Sequence, residues 1–207
     1  MARYTGPVCR MCRAEQRKLM LKGARCSSDK CPLNKKRGAP GKDPKARAGK
    51  KSEYAIQLAE KQKLRRMYGL LEKQFRLTFD RAARMSGVTG ANFVQLLERR
   101  LDNVVYRMGI GASRKESRQI VNHGHITVNG RTVNIPSFLV KVDDVIAIKE
   151  NKKELPMFKE LKDVKVVMPK WLEFNSDSLT GKINALPKRD DIDLNIQEHM
   201  IIELYSR

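Results

Sequence analysis

Cys9, Cys12, Cys26 and Cys31 are the only cysteines in the chain, and they fall into two close pairs: C-x2-C, thirteen intervening residues, then C-x4-C. Two such pairs on either side of a loop can place four thiolates on a tetrahedron around one zinc ion, about 2.3 Å from each sulfur. Arg10, Arg13, Arg25 and Lys30 lie close to them in sequence, and positive neighbours favour the thiolate form that binds metal. The opening, Met-Ala-Arg-Tyr-Thr-Gly-Pro, has no apolar leader. A reducing compartment is therefore expected, where disulfides are disfavoured. Four thiolates leave no open coordination position, so the expected zinc is structural and not catalytic. An iron–sulfur cluster is the alternative, because ligand softness alone does not separate the two metals.

A knuckle of this kind has to be held by what surrounds it, and that surrounding is strongly basic. The chain has 207 residues, 43 of them Lys or Arg against 23 Asp or Glu, a formal charge of +20. Such a balance points to a polyanionic partner, nucleic acid before an acidic membrane. The longest apolar run is four residues, Val145 to Ile148, far short of the ~20 that a membrane helix needs. Neither a membrane nor a small-molecule substrate is expected as a partner. Residues 1–51 carry a net +13, 52–98 a net +3, 99–165 a net +6 and 166–207 a net −2. The first segment would repel itself and is too poor in apolar residues to fold alone, so the four-cysteine knuckle is its expected staple. Pro32, Pro40 and Pro44 with Gly38, Gly41 and Gly49 forbid a regular helix after Cys31. That stretch reads as an extended basic arm ordered by its partner. By charge, Arg13 and Arg25 in the knuckle and Lys35, Lys36, Arg37, Arg47 and Lys50 in the arm are phosphate-binding candidates.

Residues 52–98 read as a helical domain. Ser52 is a plausible N-cap. Ala55, Leu58, Ala59 and Gln62 share one face of the helix behind it, and Gly69 ends that helix. Leu70, Leu71, Gln74, Phe75 and Phe79 recur at helical spacing, and Asn92 can cap a third helix with Phe93, Leu96, Leu97, Leu101, Val104, Val105 and Met108 on its apolar stripe. The aromatics at this spacing are expected in the core. Tyr54, Tyr68, Lys63, Arg65, Arg66 and Arg76 are expected on the surface, where Tyr or Arg stacks on an unpaired base and Lys neutralises phosphate.

Residues 99–165 carry the strongest structural motif. Ser113 and Glu116 form a capping box. Ahead of Gly124 runs a helix whose exposed face is expected to present Arg114, Ser117 and Arg118, flanked by Lys115 and Gln119. His125-Ile-Thr-Val128, Asn129-Gly130 and Arg131-Thr-Val133 make a hairpin signal, and Val145–Ile148 adds at least one further strand. His123 and His125 lie beside the basic helix with no Asp or Cys at ligand spacing. The expected fold class is α+β: a zinc knuckle with its basic arm over 1–51, a helical domain over 52–98, a small helix-hairpin RNA-binding module with a few β-strands over 99–165, and a C-terminal extension over 166–207.

Leu97-Glu-Arg-Arg-Leu-Asp-Asn-Val-Val-Tyr-Arg-Met-Gly109, followed by Ser113-Arg-Lys-Glu-Ser-Arg-Gln-Ile-Val-Asn-His-Gly-His-Ile-Thr-Val-Asn-Gly130, resembles the RNA-binding module named after the S-four family of small-subunit ribosomal proteins. Met1–Pro7, the four-cysteine knuckle, Ser52–Gly69, Glu72–Arg76 and Glu203–Arg207 extend the resemblance to the bacterial zinc-bearing form along essentially the whole chain. The resemblance implies a non-enzymatic, cytoplasmic, primary binder of 16S rRNA that nucleates assembly of the subunit body. It also implies contacts to ribosomal protein S-five and other small-subunit proteins, a role in translational accuracy, a place beside messenger RNA at its entrance tunnel, and repression of its own messenger in some members. In the family the tail, here about 190–207, packs back on the helical domain. Carried over by position, the RNA-facing residues are Arg3, Arg10, Lys22, Lys51, Lys61, Gln62, Arg65, Arg66, Tyr68 and Arg76, then Arg107, Ser113, Arg114, Arg118, His123 and His125. Where the family often reads Pro-Gly-Gln-His-Gly, this arm reads Pro40-Gly-Lys-Asp-Pro44.

Two other classes fit less well. An RNA-modifying pseudouridine synthase carrying the same module would need a catalytic domain with its Asp, and the 57 residues after Glu150 are too few; no nucleophile–base constellation stands out either. A zinc-dependent DNA-binding regulator would insert a recognition helix and often dimerise, but no dimer seam is visible and no clear helix follows the cysteines.

Overall fold

The structure is a computed structural model and describes residues 3–41, 49–159, 161 and 167–206. In chain order its helices are α1 (Val8–Glu15), α2 (Ala24–Ser27), α3 (Glu53–Met67), α4 (Glu72–Ala83), α5 (Thr89–Glu98), α6 (Leu101–Arg107), α7 (Arg114–Asn122), α8 (Pro156–Lys159) and α9 (Glu198–Ser206). Its strands are β1 (Ile126–Val128), β2 (Arg131–Thr132), β3 (Val145–Ile148), β4 (Leu172–Asn175) and β5 (Thr180–Ile183). The chain divides into two units, Met1–Gly90 with Leu194–Arg207, and Ala91–Asp193.

In the first unit, Ser52 caps α3 by accepting from the Ala55 amide. The buried stripe of α3 is Gln57, Lys61, Leu64 and then Tyr68, not the expected Ala55, Leu58, Ala59 and Gln62, which are only half-buried. Polar side chains sit on that stripe because partners answer them: Gln57 Nε2 donates to Glu203 at 2.9 Å and Lys61 Nζ to Glu72 at 2.6 Å. Helix α9 lies along α3. Leu194, Ile196 and Ile201 are buried, while Met200 and Ile202 are half-buried; Ile192, also buried, belongs to the second unit. Tyr205 closes the contact. Its hydroxyl donates to Glu72 at 3.0 Å, and its ring meets Phe79 with centroids 4.6 Å apart. Burial pushes the Glu72 carboxyl up, but the hydrogen bonds from Lys61 and Tyr205 and the charges of Lys61 and Arg65 outweigh it and hold it below the usual carboxylate range. The tail and helical domain are thus tied by a partly buried polar cluster as well as by apolar packing.

The second unit is a sheet packed on helices. Strand order is β2-β1-β3-β5-β4, every pair antiparallel. Asn129 and Gly130, both at positive φ, make the two-residue turn between β1 and β2 that the Asn-Gly dipeptide favours. Ile126, Ile146, Ile148 and Ile183 from the sheet join Leu101, Val104, Val105, Ile120 and Val121 from α6 and α7 in one core that also buries Phe158 and Trp171. Strands β4 and β5 fall within the segment expected to be an extension, so part of residues 166–207 completes this sheet. The expected single helix from Asn92 to Met108 is two. Arg100 takes an extended conformation (φ −68°, ψ 136°) and bridges Leu139. There the chain donates to Phe138 and accepts from Val140 at the break, and Asn92 lies inside α5, not at its cap. Ser113 caps α7 by accepting from the Glu116 amide, while Glu116 reaches back to the Ala112 amide, one residue before the cap. Gly111 belongs to this turn: a Cβ there would lie 2.4 Å from Ser117 Oγ and 2.8 Å from its amide nitrogen.

Candidate nucleic-acid interface and cysteine cavity

Helix α1 carries Cys9 and Cys12, α2 carries Cys26, and Cys31 follows the turn after α2. The four line one cavity of about 20 Å³, together with Lys22, Arg25, Pro32 and Leu33. The Lys22 amide donates to Cys26 Sγ at 3.3 Å, the kind of contact that steadies a thiolate ligand. Donor type, donor number and the shared cavity fit a zinc ion. As the side chains stand, no group of three or more His, Cys, Asp or Glu among the described residues closes into a site that could hold a metal. Positive neighbours alone do not set the thiol pKa values of Cys12 and Cys31. Burial, the mutual repulsion of the other three sulfurs and a partial offset from the Leu19 hydrogen bond leave Cys12 raised. For Cys31, burial is outweighed by hydrogen bonds from Asn34 and Leu33 and the charges of Lys18 and Arg25, and its pKa falls. The knuckle has its own small core of Val8, Cys12, Leu19 and Leu21, with Met11, Leu33 and Met67 against it. Arg66 of α3 pairs with Glu15 of α1.

The basic candidates divide into three groups. Arg3, Arg10, Lys22, Arg25, Lys35, Lys36, Arg37, Lys50, Lys51, Arg76 and His123 are exposed, and this is the group with side chains open to a polyanion. Arg13, Gln62, Arg65, Arg66, Arg107, Arg114, Lys115 and His125 are half-buried. Lys61, Lys63, Tyr68, Ser113 and Arg118 are buried, which corrects the expectation that Lys63, Tyr68 and Arg118 lie on the surface. Arg47 lies outside the described residues.

The physical reason is charge already satisfied within the fold. Lys63 Nζ donates to the Asn195 carbonyl at 2.5 Å and also pairs with Glu60. Arg65 donates to Gln62 at 2.9 and 2.6 Å and lies 3.5 Å from Glu72. Asp102 sits between Arg100, which grips both its oxygens at 3.1 and 2.8 Å, and Arg118 at 3.1 Å. All three side chains are 6–7% exposed. Ser117, expected beside Arg118 on the outer face, is fully buried.

Several residues that do this holding were not anticipated. Glu98, 0% exposed, accepts from Arg107 at 3.0 and 2.8 Å and from Asn103 at 2.8 Å. Asn103 Oδ1 in turn accepts from Arg114 Nε at 2.8 Å, and the Arg114 guanidinium lies over the Tyr106 ring, 4.6 Å from its centroid. The only sequence signal was their clustering within the Leu97–Gly109 stretch, where three acidic or amide residues alternate with arginines. His123 and His125 meet edge-on at 5.9 Å. Burial, then the positive charges of His123 and Lys152, depress the His125 pKa.

Residues 3–98 match the family model described as Ribosomal protein S4/S9 N-terminal domain, and residues 99–146 match that of the S4 domain. The chain is 56% identical over 209 residues to small ribosomal subunit protein uS4 of Ruminiclostridium cellulolyticum, 55% over 208 to that of Desulfitobacterium hafniense and 54% over 209 to that of Halothermothrix orenii. Each alignment covers 100% of both chains. Two adjacent family matches together with full-length similarity of this degree place the chain in the uS4 family of small ribosomal subunit proteins.

Proposed function

We propose that the chain is a structural, rRNA-binding constituent of the small ribosomal subunit that binds 16S rRNA directly and early, and so nucleates assembly of the subunit body. The observation that carries this is the exposed group of cations from Arg3 to Lys51, present on a chain with the S4 domain at residues 99–146. Phosphates need cations that the fold has not already neutralised, and these side chains are exposed. Contacts with ribosomal protein S-five, a supporting role in translational accuracy, a place near messenger RNA at its entrance tunnel and control of its own messenger follow from the family resemblance. Cytoplasmic localisation belongs to the same reading. Zinc is the proposed occupant of the cysteine cavity. Four thiolates in two close pairs around one small cavity are a usual structural zinc set, with an iron–sulfur cluster as the alternative.

Titrating the full chain against in-vitro transcribed 16S rRNA at several salt concentrations tests the binding mode. With six or more phosphate contacts, affinity is expected to fall about a thousandfold or more between roughly 50 and 200 mM salt. A flat response would contradict the charge argument.

A further inference from the structure

The Arg114 network has a geometry that charge alone does not require. A lysine would neutralise a phosphate without any support. Here three residues shape one guanidinium. Asn103 Oδ1 accepts from Nε at 2.8 Å. Tyr106 lies beneath the guanidinium carbon, 4.6 Å from the ring centroid. Asn103 is itself locked, its amide donating to the Glu98 carbonyl at 3.1 Å and to the Glu98 carboxylate at 2.8 Å. Holding the guanidinium at Nε and backing it with a ring fixes the plane of the group as well as its position. Glu98 and Asn103 are almost wholly buried, whereas Arg114 and Tyr106 each keep part of their surface open to solvent. A rigid, planar, partly open cation on an aromatic ring is what an unstacked base needs. RNA recognition proteins read single-stranded and bulged bases by stacking them on aromatic or guanidinium planes, and a platform already in place avoids the ordering cost that a mobile arginine would carry.

We propose that Arg114, held over Tyr106 by Asn103 and Glu98, is a stacking platform for one unpaired base of the bound RNA, with Asn103, Glu98 and Tyr106 as its positioning residues. This rests on the reading of the chain as an rRNA-binding protein and goes beyond it by naming the element of RNA that is recognised. A base stack and a phosphate contact make different predictions. Lysine keeps the charge and loses the plane. A phosphate contact also releases a counterion and adds about one unit to the salt slope, which a stack does not.

The experiment measures affinity of the full chain for 16S rRNA across a salt series, for the native protein and for Arg114→Lys, Arg114→Ala, Tyr106→Leu and Tyr106→Phe, with thermal melting of each. Arg114→Lys and Tyr106→Leu are each expected to bind about tenfold more weakly. Tyr106→Phe, which keeps the ring, should bind as the native chain does, and Arg114→Ala should lose affinity with an unchanged salt slope. Native affinity in Arg114→Lys would overturn the proposal, as would a salt slope smaller by about one in Arg114→Ala, the signature of a phosphate contact. Arg114→Lys removes no charge, so it remains a valid test if Tyr106→Leu melts early. If the native chain itself does not bind the RNA, the functional reading fails; if it binds and only the variants match it, the platform alone fails.

Discussion

Asp102→Ala is expected to destabilise the 91–193 unit by about 3–5 kcal/mol, the cost of stranding buried charge. The asymmetry of the triad sharpens this. Asp102 is one carboxylate between two guanidinium groups, with all three side chains at 6–7% exposure. Removing the acid leaves Arg100 and Arg118 facing each other without it. Removing Arg118 leaves the Arg100–Asp102 fork intact at 3.1 and 2.8 Å, so Arg118→Ala should cost about 1.5–3 kcal/mol, the scale of one charge-assisted hydrogen bond. Urea denaturation of the full-length variants, followed by a probe within residues 91–193, separates the two. Equal losses for Asp102→Ala and Arg118→Ala would show that the carboxylate is not the centre of the cluster. The same geometry means that weaker RNA binding by Arg118→Ala would report a damaged fold before it reported a lost RNA contact.

Chelation is expected to have a large and local effect. With zinc in the cysteine cavity, removing it leaves a knuckle whose buried core is only Val8, Cys12, Leu19 and Leu21, and structural zinc sites supply folding energy directly. Amide hydrogen exchange in EDTA should therefore show lost protection in α1, α2 and the turns to Arg37. Protection should persist in α3, α4 and α9, which are joined by Lys61–Glu72, Phe79–Tyr205 and the α3–α9 packing, and in the helices and strands of residues 91–193. Unchanged protection in α1 and α2 would argue against zinc as the staple. Loss everywhere would show that the rest of the chain depends on the knuckle.

Periodicity and turn chemistry made much of the fold legible. The Ser52 cap, the Ser113 cap, the Asn129-Gly130 hairpin and the core positions of Phe75, Phe79 and Phe93 follow from local rules, and the folded chain has each of them. Local rules do not register long-range partners, and that is where the expectations diverged. Lys61, Lys63 and Arg118 read as surface cations because nothing adjacent announces that Glu72, Asn195 and Asp102 will meet them. Strands β4 and β5 were hidden because their apolar alternation is short and interrupted by Gly181, whose missing Cβ makes room for Met108 and the Glu173 carbonyl. The break at Arg100 depends on pairing with Leu139 across 39 residues, which no window of helical length contains. The same limit applied to the candidate interface. Charge located the basic segment, but sorting cations that are open from those already spent inside the fold required the three-dimensional partners.

The central claim, that the chain is a structural part of the small ribosomal subunit held by direct RNA contact, is tested most directly by sedimentation. A tagged full-length copy expressed in a bacterium is followed through sucrose gradients in low and in high salt. The account predicts that at low salt it runs with the small-subunit peak in about stoichiometric amount, and that raising the salt releases it only as its phosphate contacts weaken. Recovery at the top of the gradient, with none in the small-subunit peak at either low or high salt, would contradict it.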